Sequence, residues 1–169
     1  FGRIGKKLIK KCLGFDMKVI VFDPYVDGAT IKSFGGTKVV TLEEGLKEAD
    51  ILSLSLPLNK QTKNFITLKE MKLMKKSSII INAARGGVVN EEDLNTALNS
   101  NIIAFAGIDV FEKEPPATTN PLIKNKKVIL SPHAATFTKE GLESMAVETA
   151  QNIIDFFENK VENIKIVKL

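Results

Sequence analysis

Three side chains able to share acid–base work stand at comparable points in the chain, each just past a short apolar run. Arg85 lies in Asn82-Ala83-Ala84-Arg85-Gly86-Gly87, after Ser78–Asn82. Glu114 lies in Asp109-Val110-Phe111-Glu112-Lys113-Glu114-Pro115-Pro116, after Ile103–Val110. His133, the single histidine, lies in Ser131-Pro132-His133-Ala134-Ala135, after Val128–Ser131. Small residues and paired glycines around Arg85 permit close backbone approach. Taken singly, Arg85 reads as a surface ion-pair partner, Glu114 as a solvated loop acid and His133 as a hydrogen-bonded turn residue. Taken together, an Arg, a Glu and a His on three successive strand ends make an acid–base site.

A second constellation opens the chain. Phe1-Gly2-Arg3-Ile4-Gly5 precedes a helical run, then the apolar segment Met17–Phe22 and Asp23, 18 residues after Gly5. With one more glycine ahead of Phe1 this is G-x-G-x-x-G followed by an acid, the dinucleotide fingerprint. Gly2 would let backbone approach a pyrophosphate, and Gly5 would let the helix pack close against a strand. The helix N-terminus offers N–H groups and a positive dipole end. Asp23 would accept from ribose hydroxyls and repel a 2′-phosphate, which favours NAD over NADP. By itself the loop is equally well a tight turn before a helix.

These residues need a frame that brings strand ends together. Met17–Phe22, Ile51–Leu56, Ser78–Asn82, Ile103–Val110 and Val128–Ser131 read as strands, with a shorter candidate at Lys38–Val40. Their continuous apolar character suits a parallel sheet covered on both faces. Between them Gly5–Leu13, Leu42–Ala49, Leu68–Met74 and Glu91–Asn99 have helical patterning. Thr41 and Thr67 each open a Thr-x-x-Glu capping box, and Asn90 caps a helix with three acids in its first turn. A last helix spans roughly Lys139–Glu158, with Leu142, Met145, Ala146, Thr149, Ile153, Phe156 and Phe157 at helical spacing. Beyond it Val161, Ile164, Ile166 and Val167 form one alternating stretch. Strand–helix alternation at this spacing predicts a parallel α/β sheet whose ligands gather at the carboxyl edge.

Composition narrows the function classes. The 169 residues are 44% hydrophobic, enough for a core, and no apolar run approaches the roughly 20 residues of a membrane span. One cysteine, Cys12, is read as a small core residue, and with no leader pattern it points to the reducing cytoplasm. One His and one Cys cannot build a structural metal site. The excess of 24 Lys+Arg over 20 Asp+Glu is scattered along helix faces, and one Tyr with no Trp leaves little for stacking on bases. Nucleic acid is therefore not an expected partner.

The strings FGRIG (1–5), NAARGGVVNEEDL (82–94), GIDVFEKEPP (107–116) and SPHAA (131–135), in this order, resemble the D-isomer-specific 2-hydroxyacid dehydrogenase family. The wording is nearer to phosphoglycerate dehydrogenases and their glycerate and hydroxypyruvate relatives than to D-lactate or formate dehydrogenases. The resemblance implies that His133 is the general acid/base, that Glu114 rather than Glu112 orients its imidazole, and that Arg85 grips the substrate carboxylate or carbonyl. It places Gly2, Arg3, Ile4 and Gly5 at the phosphates and Asp23 at the ribose. Leu56, Pro57 and, more weakly, Thr62 fall on the adenine and ribose side. Ala83, Ala84, Arg85, Asp109, His133, Ala134 and Ala135 fall around the nicotinamide.

What the resemblance implies for the whole chain is an NAD-dependent oxidoreductase. It would move a hydride between NAD and the CH–OH group of a small D-2-hydroxy acid of the phosphoglycerate or glycerate kind. An NAD(H)-sensing, corepressor-like module is the alternative. The expected fold is a Rossmann-type doubly wound parallel sheet over 1–169, N-terminally truncated, with the family's first strand and substrate domain missing. Residues 139–169 would cross back towards that domain. An interrupted sheet exposes strand edges, which favours a homodimer.

Overall fold

The computed structural model describes residues 1–164, so Ile166 and Val167 of the alternating tail lie outside the described residues. The chain divides into two compact units, one spanning Phe1–Pro132 and a second that begins at His133.

In the first unit α1 (Arg3–Leu13) begins two residues earlier than its periodicity predicts, because Gly2 takes the N-cap and its carbonyl accepts from Lys6 N–H (3.0 Å). Cys12, expected in the core, is only half-buried on this helix. The strand expected over Met17–Phe22 shrinks to β1 (Ile20–Val21). Met17 N–H is used to close the turn after α1 on the Cys12 carbonyl. An unexpected helix follows, α2 (Gly28–Ser33). The Asp27 carboxylate starts it by accepting from Thr30 N–H (2.7 Å) and from the Thr30 hydroxyl (2.7 Å). The candidate Lys38–Val40 becomes β2 (Thr37–Lys38), parallel to β1. Gly36 lies under α1, where a Cβ would meet Ile9 at 2.7 Å.

Beyond β2, α3 (Leu42–Glu48) and α4 (Leu68–Met71) both start in complete capping boxes, from Thr41 with Glu44 and from Thr67 with Glu70. The helix expected to reach Met74 stops at Met71 because the chain tightens into turns, Leu73 and Met74 N–H bonding three residues back. β3 (Ile51–Leu54), β4 (Ile79–Asn82), β5 (Phe105–Ile108) and β6 (Val128–Leu130) form a parallel sheet in that order. α5 (Glu91–Asn99), capped by Asn90, links β4 to β5. A 3-10 turn, Pro121–Lys124, precedes β6.

The core lies on one face of this sheet. Leu54, Ile80, Ala106 and Ile108 point into it and meet Leu46, Ile66, Met71, Val88, Leu94, Leu98, Ile103 and Leu122, all buried. The other face carries Ile51, Ile81, Phe105 and Ile129, all exposed. The sheet is not one continuous ladder: β1 with β2 stands apart, and among the described residues no ladder bond joins β1 to β3.

The second unit is built on α6 (Lys139–Phe157), whose N-cap, Thr138, accepts from Gly141 N–H. Gly141 is required there, since a Cβ would stand 2.5 Å from the Thr136 carbonyl. Leu142, Met145, Ile153, Phe156 and Phe157, which recur at helical spacing, are exposed. Buried instead is Asp155, which accepts from Gln151 Nε2 (2.8 Å). A 3-10 turn, Val161–Asn163, takes up the first part of the predicted alternating tail.

Candidate active site

Parallel strands end on one edge, so the loops after β3, β4, β5 and β6 share that edge of the first unit. At the end of β4 the buried Asn82 organises the Arg85 loop from both ends of its amide. Its Oδ1 accepts from Ala84 N–H (3.1 Å) and its Nδ2 donates to the Arg85 carbonyl (3.0 Å). Ala83 is exposed and Ala84 half-buried. The Arg85 side chain projects into solvent with Nη1 donating to the Ala84 carbonyl (2.7 Å), which leaves most of its guanidinium donors pointing outwards. Gly87 follows with φ 76°, a left-handed conformation that glycine adopts without cost.

At the end of β5 the ladder continues for one more bond, Asp109 N–H to the Asn82 carbonyl (3.0 Å). Asp109 is buried, and its carboxylate accepts a short hydrogen bond from the Ser131 hydroxyl just past β6. The loop then turns back on itself, Phe111 N–H donating to Glu114 Oε1 (3.0 Å). The Arg85 and Glu114 loops interlock at Gly86: a Cβ there would lie 1.8 Å from the Phe111 carbonyl oxygen and 2.5 Å from Glu112 N. No side chain other than hydrogen fits, so the two loops hold each other in register.

His133 opens the second unit, three residues past β6, with φ 53°. A non-glycine residue in that region costs about 1–3 kcal/mol and is commonest at functional positions. Ala134, half-buried, and the exposed Ala135 follow, and the Ala134 carbonyl accepts from Phe137 N–H (2.9 Å).

At the chain's opening Gly2, Arg3 and Ile4 are exposed, and a Cβ at Gly2 would meet nothing within 4 Å. Gly2 contributes no side chain to cap the helix, so the N–H groups of its first turn face open space. A Cβ at Gly5 would meet a Phe1 ring carbon at 3.6 Å, ordinary contact. Asp23, two residues past β1, takes N–H bonds from Tyr25 (2.8 Å) and Val26 (3.1 Å) and an ion pair from the Phe1 amino group. Burial works to raise its pKa. The hydrogen bonds from the Phe1 amino group, Tyr25 and Val26 outweigh that and hold the carboxyl below the ordinary aspartate value. An open helix N-terminus beside a firmly ionised carboxylate fits the pyrophosphate and ribose of a dinucleotide.

Past β3, Leu56 is half-buried and Pro57 exposed. Thr62 spends its hydroxyl on the Pro57 carbonyl (2.7 Å) and receives Asn59 N–H (2.8 Å), so it ties this loop together.

Residues 1–135 match the family model of the D-isomer specific 2-hydroxyacid dehydrogenase, NAD binding domain. The chain belongs to this family. A glyoxylate reductase from Thermococcus litoralis is 42% identical over 161 residues, 95% of this chain and 48% of that protein. A D-3-phosphoglycerate dehydrogenase from Methanocaldococcus jannaschii is 38% identical over 90% of this chain and 29% of its own length. Among solved structures, D-lactate dehydrogenase with NAD+ from Lactobacillus jensenii superposes with a TM-score of 0.88 at 30% identity, over 99% of this chain and 53% of that one. D-lactate dehydrogenase from Aquifex aeolicus, complexed with NAD and lactic acid, gives 0.85 at 34%, over 97% and 53%. The chain thus spans about half the length of the relatives it matches or less, and its residues 1–135 match the family's NAD-binding domain, a Rossmann-like parallel sheet with helices.

Two organising residues escaped the sequence reading. Asn82 was seen only as a strand end, although an Asn closing an apolar strand must find partners for four hydrogen-bonding positions. Ser131 was likewise seen as a flank of His133, not as the partner of Asp109. Among the described residues no group of His, Cys, Asp and Glu could hold a metal ion, and no helix is long and apolar enough to cross a membrane.

Proposed function

We propose that this chain is the cofactor-binding and acid–base half of a dehydrogenase interconverting a D-2-hydroxy acid and its 2-oxo acid, with a small substrate of the phosphoglycerate, glycerate or glyoxylate kind. The observation that carries this reading is the interlock of the Arg85 and Glu114 loops at one strand edge of an NAD-binding domain.

The first turn of α1 with Gly2, Arg3 and Ile4 would hold the pyrophosphate, and Asp23 the adenosine ribose. Leu56 and Pro57 would line the adenine side. Ala83, Ala84, Asp109, Ala134 and Ala135 would surround the nicotinamide. Bound NAD supplies the hydride acceptor at the nicotinamide ring. Arg85 offers two parallel N–H donors to the substrate carboxylate, a match that Lys cannot reproduce. His133 takes the C2 hydroxyl proton as the C2 hydride leaves, so the alcohol becomes a carbonyl with no charge stranded. Glu114 would orient that imidazole. In the reductive direction His133 returns the proton to the carbonyl oxygen.

The test is a fluorescence titration with NADH, followed by its oxidation in the presence of hydroxypyruvate or glyoxylate. Arg85→Gln lowers kcat/KM at least about tenfold, through the loss of a charged hydrogen-bonding pair, while NADH affinity holds. Absence of NADH binding at millimolar cofactor sinks the proposal.

A further inference from the structure

Glu91 has no role in the chemistry above, yet its carboxylate takes a hydrogen bond from each end of the Glu114 loop. It stands at the first position of α5, half-buried. One oxygen accepts from Glu112 N–H (2.6 Å) and the other from Asn120 Nδ2 (2.5 Å). The two donors lie at opposite ends of the segment 112–120, which carries Glu114. Asn120 is committed at its other end as well, its Oδ1 accepting from Leu122 N–H (3.0 Å) at the start of the 3-10 turn.

We infer that Glu91 is a positioning residue: it ties both ends of the Glu114 loop to the segment that carries Arg85. The chain of reasoning is short. Arg85 and Glu91 belong to one stretch, fixed at its near end by Asn82 and at its far end by the Asn90 cap. A carboxylate accepting two hydrogen bonds, one from backbone, is a stiff and charge-assisted link. One of its two donors, Glu112 N, is also an atom that a Cβ on Gly86 would meet at 2.5 Å, so tether and close contact act on the same stretch of backbone. Gly86 prevents the loops from approaching further, and Glu91 prevents them from parting. A shift of about 1 Å in such a pair is enough to lower turnover by as much as about a hundredfold.

This role rests on the function proposed above, and the test separates the two. Glu91→Gln keeps one acceptor for Glu112 but presents an NH2 group to Asn120 Nδ2, donor against donor. Asn120 can turn its amide round only by abandoning Leu122. Adding Asn120→Asp restores complementarity with the hydrogen bond reversed. The expected result is that Glu91→Gln lowers kcat about ten- to a hundredfold with KM for NADH within about twofold. The amide of Glu112 should exchange at least about tenfold faster while Leu94 and Leu98 of α5 keep their protection. The double variant Glu91→Gln with Asn120→Asp should regain both readouts.

A Glu112 amide unchanged by Glu91→Gln overturns the inference. So does equal loss of protection along α5, or failure of the double variant to restore it. If the unaltered protein turns over no 2-oxo acid, the functional proposal falls, and the exchange measurements alone decide whether Glu91 tethers the loop.

Discussion

Asp23 shows how a single carboxylate is prepared before any ligand arrives. The N–H groups of Tyr25 and Val26 both donate to one of its oxygens, which fixes the carboxylate against the turn that follows β1. Its pKa lies below the ordinary 3.8. A depressed value means that its stabilising contribution is full above the unfolded-state pKa and is lost as pH falls through the folded one. From neutrality down to about pH 4, NADH binding should therefore show no titration from this group. Asp23→Asn should weaken NADH about tenfold, the worth of one charged hydrogen bond, and narrow its advantage over NADPH. Paired titrations with the two cofactors measure this, and an unchanged NADH to NADPH ratio would remove Asp23 from the site.

At the scale of elements, the strand ends do the positioning, and they do it through glycine and amide chemistry. Gly86 is the strictest case. Its absent Cβ is the space occupied by the Phe111 carbonyl, so Gly86→Ala must push two backbones apart. We expect a loss of about 1–3 kcal/mol in urea unfolding, with NADH binding weakened through the nicotinamide side. Stability within about 0.5 kcal/mol of the parent would mean the interlock is loose. The Gly-Gly pair was visible in the sequence, as were both Thr-x-x-Glu boxes and the Asn90 cap, because each depends on residues within four positions. The Phe111 contact, the Ser131–Asp109 pair and the Glu91 tether were not, because they join residues 21 to 29 apart, brought together only by the ladder.

For the molecule as a whole, the first unit has one well-filled face and one open one. Ile51, Ile79 and Phe105 form one row across the open face, and Ser53, Ile81, Gly107 and Ile129 the next. Phe105 is 54% exposed and Ile129 81%. A contiguous apolar patch on a sheet is a site of association or dye binding. Ile129→Thr with Phe105→Thr should lower bound-ANS fluorescence and self-association in sedimentation, at a stability change within about 0.5 kcal/mol per exposed site. Unchanged fluorescence would show that this face is covered in solution. The sheet is interrupted, as expected, between the β1–β2 pair and the four-stranded ladder; strand spacing alone counts strands and cannot report which neighbours pair.

The break between β2 and β3 has a consequence for affinity. The part up to β2 buries Ile9 and Ile31 outside the main cluster, which begins at Leu46. It is the thinner lobe of the first unit, with no ladder bond to β3 among the described residues and few buried apolar side chains, the features that go with a low cost of local opening. A dinucleotide held as proposed rests its phosphates and ribose on the thin lobe and its nicotinamide on the thick one. It then binds at full strength only to molecules in which both lobes are aligned, and the measured Kd is the intrinsic one divided by that aligned fraction. Whatever holds the lobes together, whether a crosslink or the cofactor already in place, acts as a clamp. Tightness of binding then depends on how the two lobes are aligned as well as on the residues that touch the ligand.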